Sequence, residues 1–354
     1  MKEYDRGETI GEDGRFDIDL ERLMHTPRHF PLRPSLQDDA LIFVEADAAD
    51  YRRACFLDPR GFPPEARIWR ASLSDLLIAY DHAEPAGRWR YLFHTGFCCS
   101  TLFSRCLDAY SDLFVLREPM SLHSLEGQLE GVGTAWPREK WEATLALVMG
   151  LLARTWTASH SPVIKSDCAL LLPTLLRSYP GPCIMMSCGL RDFVASVLSC
   201  PTRRAWASTR LDQMMRIAPI VDVRVSFDLS APANSAEAAA LLWWWQNGIF
   251  REAVSAYPGI PTYFLCAEEF LDDPATHLAA SLRALGASVE SPDRRPLLDQ
   301  VLRRDAKDPQ RIGSAEQRAG KLAASRLLYG AAIEAAIRTV SARIGADVEN
   351  AMPL

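Results

Sequence analysis

Nowhere in its 354 residues does the chain carry a run of 18 apolar side chains. A membrane-spanning helix needs about 20, so none is expected. The longest apolar stretches, around Leu145–Leu152 and Ala238–Trp245, suit buried helices instead. The opening Met1-Lys2-Glu3-Tyr4-Asp5-Arg6 lacks the apolar core of a signal peptide. Lysine is scarce: of 39 basic residues only five are Lys, namely Lys2, Lys140, Lys165, Lys307 and Lys321. A net charge of −6 provides no global basic field and argues against a nucleic-acid binder. The nine cysteines are odd in number and irregularly spaced. Cys106, Cys183 and Cys266 lie in apolar segments, where a free thiol behaves as a small hydrophobe. The neighbours Cys98 and Cys99 have no second Cys/His pair nearby to complete a zinc site. A reducing, cytoplasmic setting without a metal is therefore expected. There is no internal repeat, and no low-complexity tract beyond Ala238-Ala239-Ala240.

What remains is an ordinary globular composition, 48% apolar and 24% charged. Its length suffices for one large α/β domain with an appendage. Residues 1 to about 38 read as a Pro/Arg-containing arm with little regular structure. Ala40–Ala46 reads as a short strand and Leu73–Ala79 as a helix, so residues 1–85 form an arm with small appended elements. The main α/β domain spans 86–354. Its strand candidates are Tyr91–Thr95, Leu113–Leu116, Val163–Lys165, Cys183–Ser187 and Thr262–Cys266. They alternate with helix candidates Ser100–Tyr110, Glu139–Ser159, Leu170–Tyr179, Leu190–Cys200, Ser235–Ala256, Pro274–Leu285 and Gln317–Ile344. That alternation predicts a mostly parallel sheet covered on both faces, a three-layer α/β/α fold. Residues 201–234 read as an insertion with five basic residues: Arg203, Arg204, Arg210, Arg216 and Arg224.

The segment Tyr91-Leu92-Phe93-His94-Thr95-Gly96-Phe97-Cys98-Cys99-Ser100-Thr101-Leu102 reads as strand, tight turn and helix N-terminus. The first free N–H groups of a helix, backed by its dipole, bind phosphate. Gly96, Phe97, Cys98, Cys99, Ser100 and Thr101 thus form a candidate phosphate cradle, the last two adding hydroxyl donors. No G-x-x-x-x-G-K-[ST] pattern is present, and the loop contains no Lys. An ordinary strand-turn-helix corner with buried cysteines fits the same residues. His94, at the strand end, is either a base or phosphate contact or a satisfied buried side chain. The second strand runs into Arg117-Glu118-Pro119, a charged pair at the sheet edge where ligands bind in such folds, or a surface ion pair ahead of a proline. Lys165, at the end of the third strand, either reaches a phosphate in place of a loop cation or snorkels from a strand end.

Together these segments resemble the sulfotransferase family, whose loop typically reads P-[KR]-S-G-T-[ST]-[LW]. Ser100-Thr101-Leu102 align with its end, while Phe97 takes the place of the usual Lys or Arg. Asp192-Phe193-Val194-Ala195-Ser196 matches the second half of R-[DN]-x-x-D-x-x-x-S, with Cys188 at the Arg position. The helix carrying Trp243-Trp244-Trp245, followed by Glu268-Glu269-Phe270-Leu271-Asp272-Asp273-Pro274, matches a further stretch, in which Asp273 suits an N-cap and Pro274 a first turn. The likeness covers roughly residues 89–312.

It implies a P-loop-NTPase-like fold and an enzyme moving a sulfuryl group from 3′-phosphoadenosine-5′-phosphosulfate (PAPS) to a hydroxyl or amine of a small, apolar or aromatic acceptor. Glu118 would be the general base, with His94 and Lys165 as further catalytic candidates. It implies PAPS contacts from the loop, from Ser196 and nearby Arg191, and from Lys307 and Arg311 in a late basic loop. No metal is required. A catalytically degenerate nucleotide-binding or scaffold protein of the same fold stands as the alternative, favoured by the charges missing at Phe97 and Cys188. An ATP-dependent small-molecule kinase is a third reading, disfavoured by the lack of a loop Lys.

Overall fold

The structure, a computed structural model, describes residues 20–80, 89–157, 161–221, 223, 231–288, 295–306 and 315–349. In chain order the strands are β1 (His29–Ser35), β2 (Ala40–Glu45), β3 (Ile68–Ser72), β4 (Tyr91–His94), β5 (Leu113–Arg117), β6 (Ser161–Ser166), β7 (Cys183–Ser187) and β8 (Thr262–Cys266). The α-helices are α1 (Leu20–His25), α2 (Ala48–Arg53), α3 (Leu73–Ala79), α4 (Ser100–Tyr110), α5 (Met120–Gln128), α6 (Arg138–Leu152) and α7 (Leu172–Ser178). They continue with α8 (Leu190–Leu198), α9 (Pro201–Ile217), α10 (Ser235–Ala256), α11 (Ala267–Asp272), α12 (Pro274–Ala284), α13 (Arg295–Leu302) and α14 (Ala315–Ile344). β1-β2-β3 make an antiparallel sheet. The other five strands make a parallel sheet in the order β5-β6-β4-β7-β8, flanked by helices, so the chain is α/β as its pattern predicts. No described helix is long and apolar enough to cross a membrane.

The chain divides into two compact units, Met1–Trp89 with Phe114–Ile164, and Arg90–Leu113 with Lys165–Leu354. In the first, the segment expected to be an irregular arm holds α1 and β1. Pro31 and Pro34 hid that strand. Proline cannot donate to a ladder and is confined to edge strands and bulges, and β1 is an edge strand whose register shifts between Pro31 and Arg33. Beyond the strand, the Gln128 amide takes over the missing pairings: its Nε2 donates to the Pro34 carbonyl and its Oε1 accepts from the Leu36 N–H, both at 2.9 Å. Side-chain capping of an edge in this way also blocks association with another strand. Arg154 fastens α1 and β1 to the end of α6, donating to the carbonyls of Leu23, His29 and Leu151. Burial pushes its guanidinium down to about 10.

In the second unit β7 lies between β4 and β8, with Tyr91 opposite Cys183 and Cys183 opposite Thr262. β4 and β7 are buried at every residue. That explains their uninterrupted apolar sequences, because a strand covered on both faces has no reason to alternate. One group of helices is α4, α12 and α13; another is α8, α9, α10 and α14. The segment expected as an insertion contains the helix α9, opened by Pro201 in its first turn. The helix expected over 139–159 stops at Leu152.

Candidate anion-binding site

Between His94 and Ser100 the backbone reverses through two left-handed residues, Phe97 (φ 61°) and Cys99 (φ 61°). For residues with a Cβ each such conformation costs about 1–2 kcal/mol. Left-handed residues in a tight turn swing successive N–H groups toward one side, the arrangement of an anion nest. Cys99 is the N-cap of α4 and forms no side-chain hydrogen bond to it. The loop is pinned at its start, where the Thr95 N–H donates to the Met186 carbonyl at 3.0 Å, and by Cys98, whose Sγ lies 2.9 Å from the Thr95 carbonyl. Gly96 is required by close approach: a Cβ there would sit 2.9 Å from the Trp206 ring. Ser100 and Thr101 follow in the first turn of α4, both buried.

Phe97 stands where the family resemblance expects a cation. Its ring packs on Phe193 (5.9 Å between centroids) and edge-on against Trp206 (5.2 Å). The Arg203 guanidinium lies over it, 4.9 Å from the centroid. From α14, Arg318 Nη2 donates to the Phe97 carbonyl at 3.0 Å. Positive charge therefore reaches this loop from helices distant in sequence.

His94 and Lys165 are both buried. His94 Nδ1 lies 2.8 Å from the Thr95 carbonyl; a carbonyl only accepts, so Nδ1 carries a proton. Burial opposes ionisation of the Cys98 thiol, but its hydrogen bond to His94 and the charges of His94 and Lys165 outweigh that and hold it below the ordinary cysteine value. These three groups thus interact electrostatically, and Lys165 is fully buried, so it does not snorkel to solvent from the strand end.

Ser196 is buried on α8, and its carbonyl accepts from Arg203 Nη1 at 3.1 Å. Arg191 makes a two-point contact with Glu349 (Nε and Nη2, each 2.9 Å) and pairs with Glu334, so its guanidinium is engaged on α14 and the residues after it. Cys188 is buried, and burial together with the charges of Cys98 and Glu268 raises its thiol well above the ordinary value. Glu268 accepts from the Gly189 N–H (3.3 Å) and from Cys266 Sγ (2.9 Å), and Asp192 pairs with Arg326. The stretch after β8 is structural, as expected: the Asp273 side chain caps α12 through the Thr276 N–H at 3.2 Å, with Pro274 opening the helix. Trp243 and Trp245 are core residues, and Trp244 is half-buried.

Glu118 and Arg117 belong to the first unit. Arg117 is buried, and its Nη1 faces the carbonyls of Tyr51, Arg52 and Ala54 at the end of α2 (3.3–3.4 Å). It satisfies a helix C-terminus. Glu118 is half-buried and left-handed, with φ 49°. The strain is imposed from both sides: the Leu57 N–H donates to the Arg117 carbonyl (2.7 Å), and the Met120 N–H donates to the Leu57 carbonyl (3.0 Å). Strain over-determined in this way clusters at functional positions. Lys307 and Arg311 lie outside the described residues.

Two contributors escaped the sequence reading. Arg203 was visible only as one of five arginines in a supposed insertion, and nothing in the sequence register of α14 marks Arg318. The single available signal was Phe97 itself, an aromatic ring where a cation is the rule.

No family model matches the chain, and no curated protein matches it. Among solved structures it is similar to a sulfotransferase domain from the curacin biosynthetic pathway, with 14% identity over 66% of this chain and 89% of that one and a TM-score of 0.40. It is also similar to a sulfotransferase from Alicyclobacillus acidocaldarius, with 13% identity over 74% of this chain and 96% of that one and a TM-score of 0.35.

Proposed function

We propose that the chain is a sulfotransferase-like enzyme that takes PAPS and transfers its sulfuryl group to a hydroxyl or amine of a small acceptor. The observation that carries this reading is the corner at 96–101: two strained left-handed residues, an N-cap without a side-chain bond and two largely buried hydroxyl-bearing residues at the start of α4. Such a corner fits a phosphate. Bound PAPS supplies an activated sulfuryl group on a phosphate leaving group. The main-chain amides of residues 97–101 hold the anion, and Lys165 and His94 contribute positive or hydrogen-bonding character beneath it. Glu118, held in a strained conformation at the end of a buried strand, takes the proton of the acceptor.

The test is a sulfuryl-transfer assay with labelled PAPS across a panel of phenols, alcohols and amines, comparing the wild type with Glu118→Gln. Transfer by the wild type and its loss in Glu118→Gln, with adenosine 3′,5′-bisphosphate binding retained, support the reading. Undiminished turnover in Glu118→Gln removes Glu118 from its role. A second reading, a nucleotide-binding protein without transfer activity, is favoured by Cys188. A buried neutral thiol beside Glu268 and Asp192 stands where the resemblance expects an arginine for the 3′-phosphate. Binding of the bisphosphate without turnover on any acceptor selects that second reading.

A further inference from the structure

We propose that Arg203 of α9 and Arg318 of α14 are the cations of the anion site at the start of α4, and that Phe97 serves as the platform that aims Arg203. This rests on reading the corner at 96–101 as an anion site. It adds the residues that neutralise the anion.

Both arginines converge on one residue, Arg203 on the Phe97 ring at 4.9 Å and Arg318 on the Phe97 carbonyl at 3.0 Å. Their remaining contacts are few. Arg203 Nη1 donates to the Ser196 carbonyl (3.1 Å) and approaches the Ser199 hydroxyl (3.4 Å). Neither guanidinium has a carboxylate partner among the described residues. Their neighbours are treated differently: Arg191 is neutralised by Glu334 and Glu349, and Arg326 by Asp192. Arg191 and Arg326 are thus paired with carboxylates, while the two arginines that touch the loop, like Arg204 beside Arg203, are held by carbonyls. A guanidinium has five N–H donors in a fixed fork. Those not engaged by carbonyls match the oxygens of a phosphate or phosphosulfate group.

A second observation points to the same ligand. Ser100 and Thr101 are 5% and 7% exposed, and their hydroxyls have no hydrogen-bond partner among the described residues. Side chains in the first turn lean toward the helix N-terminus, so these hydroxyls face the corner that the two arginines flank. Neither hydroxyl oxygen is fully buried, so both remain reachable and can donate to an oxyanion. The sequence departure at Phe97 then has a physical reason. The loop carries no cation of its own; it carries an aromatic face on which a cation from another helix stacks.

The experiment is calorimetric titration of the full chain with adenosine 3′,5′-bisphosphate, for the wild type, Arg203→Gln, Arg318→Gln, the double variant, and Arg338→Gln as an exposed control on α14. Loss of one charge-assisted contact weakens binding about 10-fold or more. Each single variant is therefore expected to bind at least 10-fold more weakly, the double variant more weakly still, and the control like the wild type. Phe97→Leu keeps an apolar filler against Phe193 and Trp206 while removing the platform, so it carries the same expectation should Arg203→Gln fail to fold. If the wild type binds and the arginine and Phe97 variants bind equally well, the assignment of the cations is wrong while the anion site stands. If the wild type does not bind, the anion site itself falls and the assignment with it.

Discussion

The Trp243 indole N–H donates to the Cys188 carbonyl at 2.7 Å, and both residues are buried. This one bond ties the middle of α10 to the end of β7, where the chain leaves the sheet for α8. Trp243→Phe keeps most of the ring volume but leaves the Cys188 carbonyl with only the longer 3.3 Å bond from the Ser187 hydroxyl. Loss of one hydrogen bond costs about 0.5–1.5 kcal/mol, so the urea midpoint should fall with the slope unchanged. A midpoint equal to the wild type's denies the bond any role in holding that edge.

Arg117 predicts a larger loss. Its guanidinium faces three carbonyls at the end of α2 from a fully buried position. Arg117→Met leaves those carbonyls without their donor, at an expected cost of about 3 kcal/mol or more. Arg117→Lys should rescue it poorly, because an ammonium cannot spread its donors over a planar fork. Equal stability of the Lys variant and the wild type in chemical denaturation contradicts this.

Glu268 gives a pH dependence of known sign. Burial raises its carboxyl above the ordinary glutamate value, the Cys266 contact opposes this, and the hydrogen bond and charge of Asp192 add to it. The native state therefore keeps this proton to higher pH than the unfolded chain. The resulting stabilisation is complete below the unfolded value and is lost as pH rises through the folded one. Glu268→Gln, which imitates the protonated carboxyl, should raise the melting temperature at pH 7–8 and make little difference near pH 4. A variant less stable than the wild type at pH 8 reverses the assignment.

At Glu118 stability and function should part. Its left-handed backbone costs about 1 kcal/mol that glycine does not incur. Glu118→Gly is expected to match or exceed the wild type in thermal stability and to lose sulfuryl transfer. Loss of both together identifies Glu118 as a structural residue.

The strands of the parallel sheet were legible because β4 and β7 are buried on both faces and read as plain apolar runs between turn residues. α4 and α10 were equally plain, each beginning where its pattern of polar and apolar residues starts. β1 was not, since its two prolines argue against a strand until its edge position and bulge are known. The loop at 96–99 was recognisable as a turn before a helix, yet its charge was not. Arg318 lies 221 residues beyond Phe97, and local patterns carry no information about such a contact. Arg191 shows the converse: its closeness in sequence to Cys188 made it a natural replacement cation, but Glu334 and Glu349 hold it on the side of α14.

The most direct measurement is a titration of the chain with adenosine 3′,5′-bisphosphate in the presence of EDTA. A one-site saturable isotherm, unchanged by chelator and weakened by salt, is the predicted result if, as proposed, backbone amides and two arginines hold the anion. Absence of binding at millimolar nucleotide, or binding that appears only with ATP and magnesium, contradicts the account.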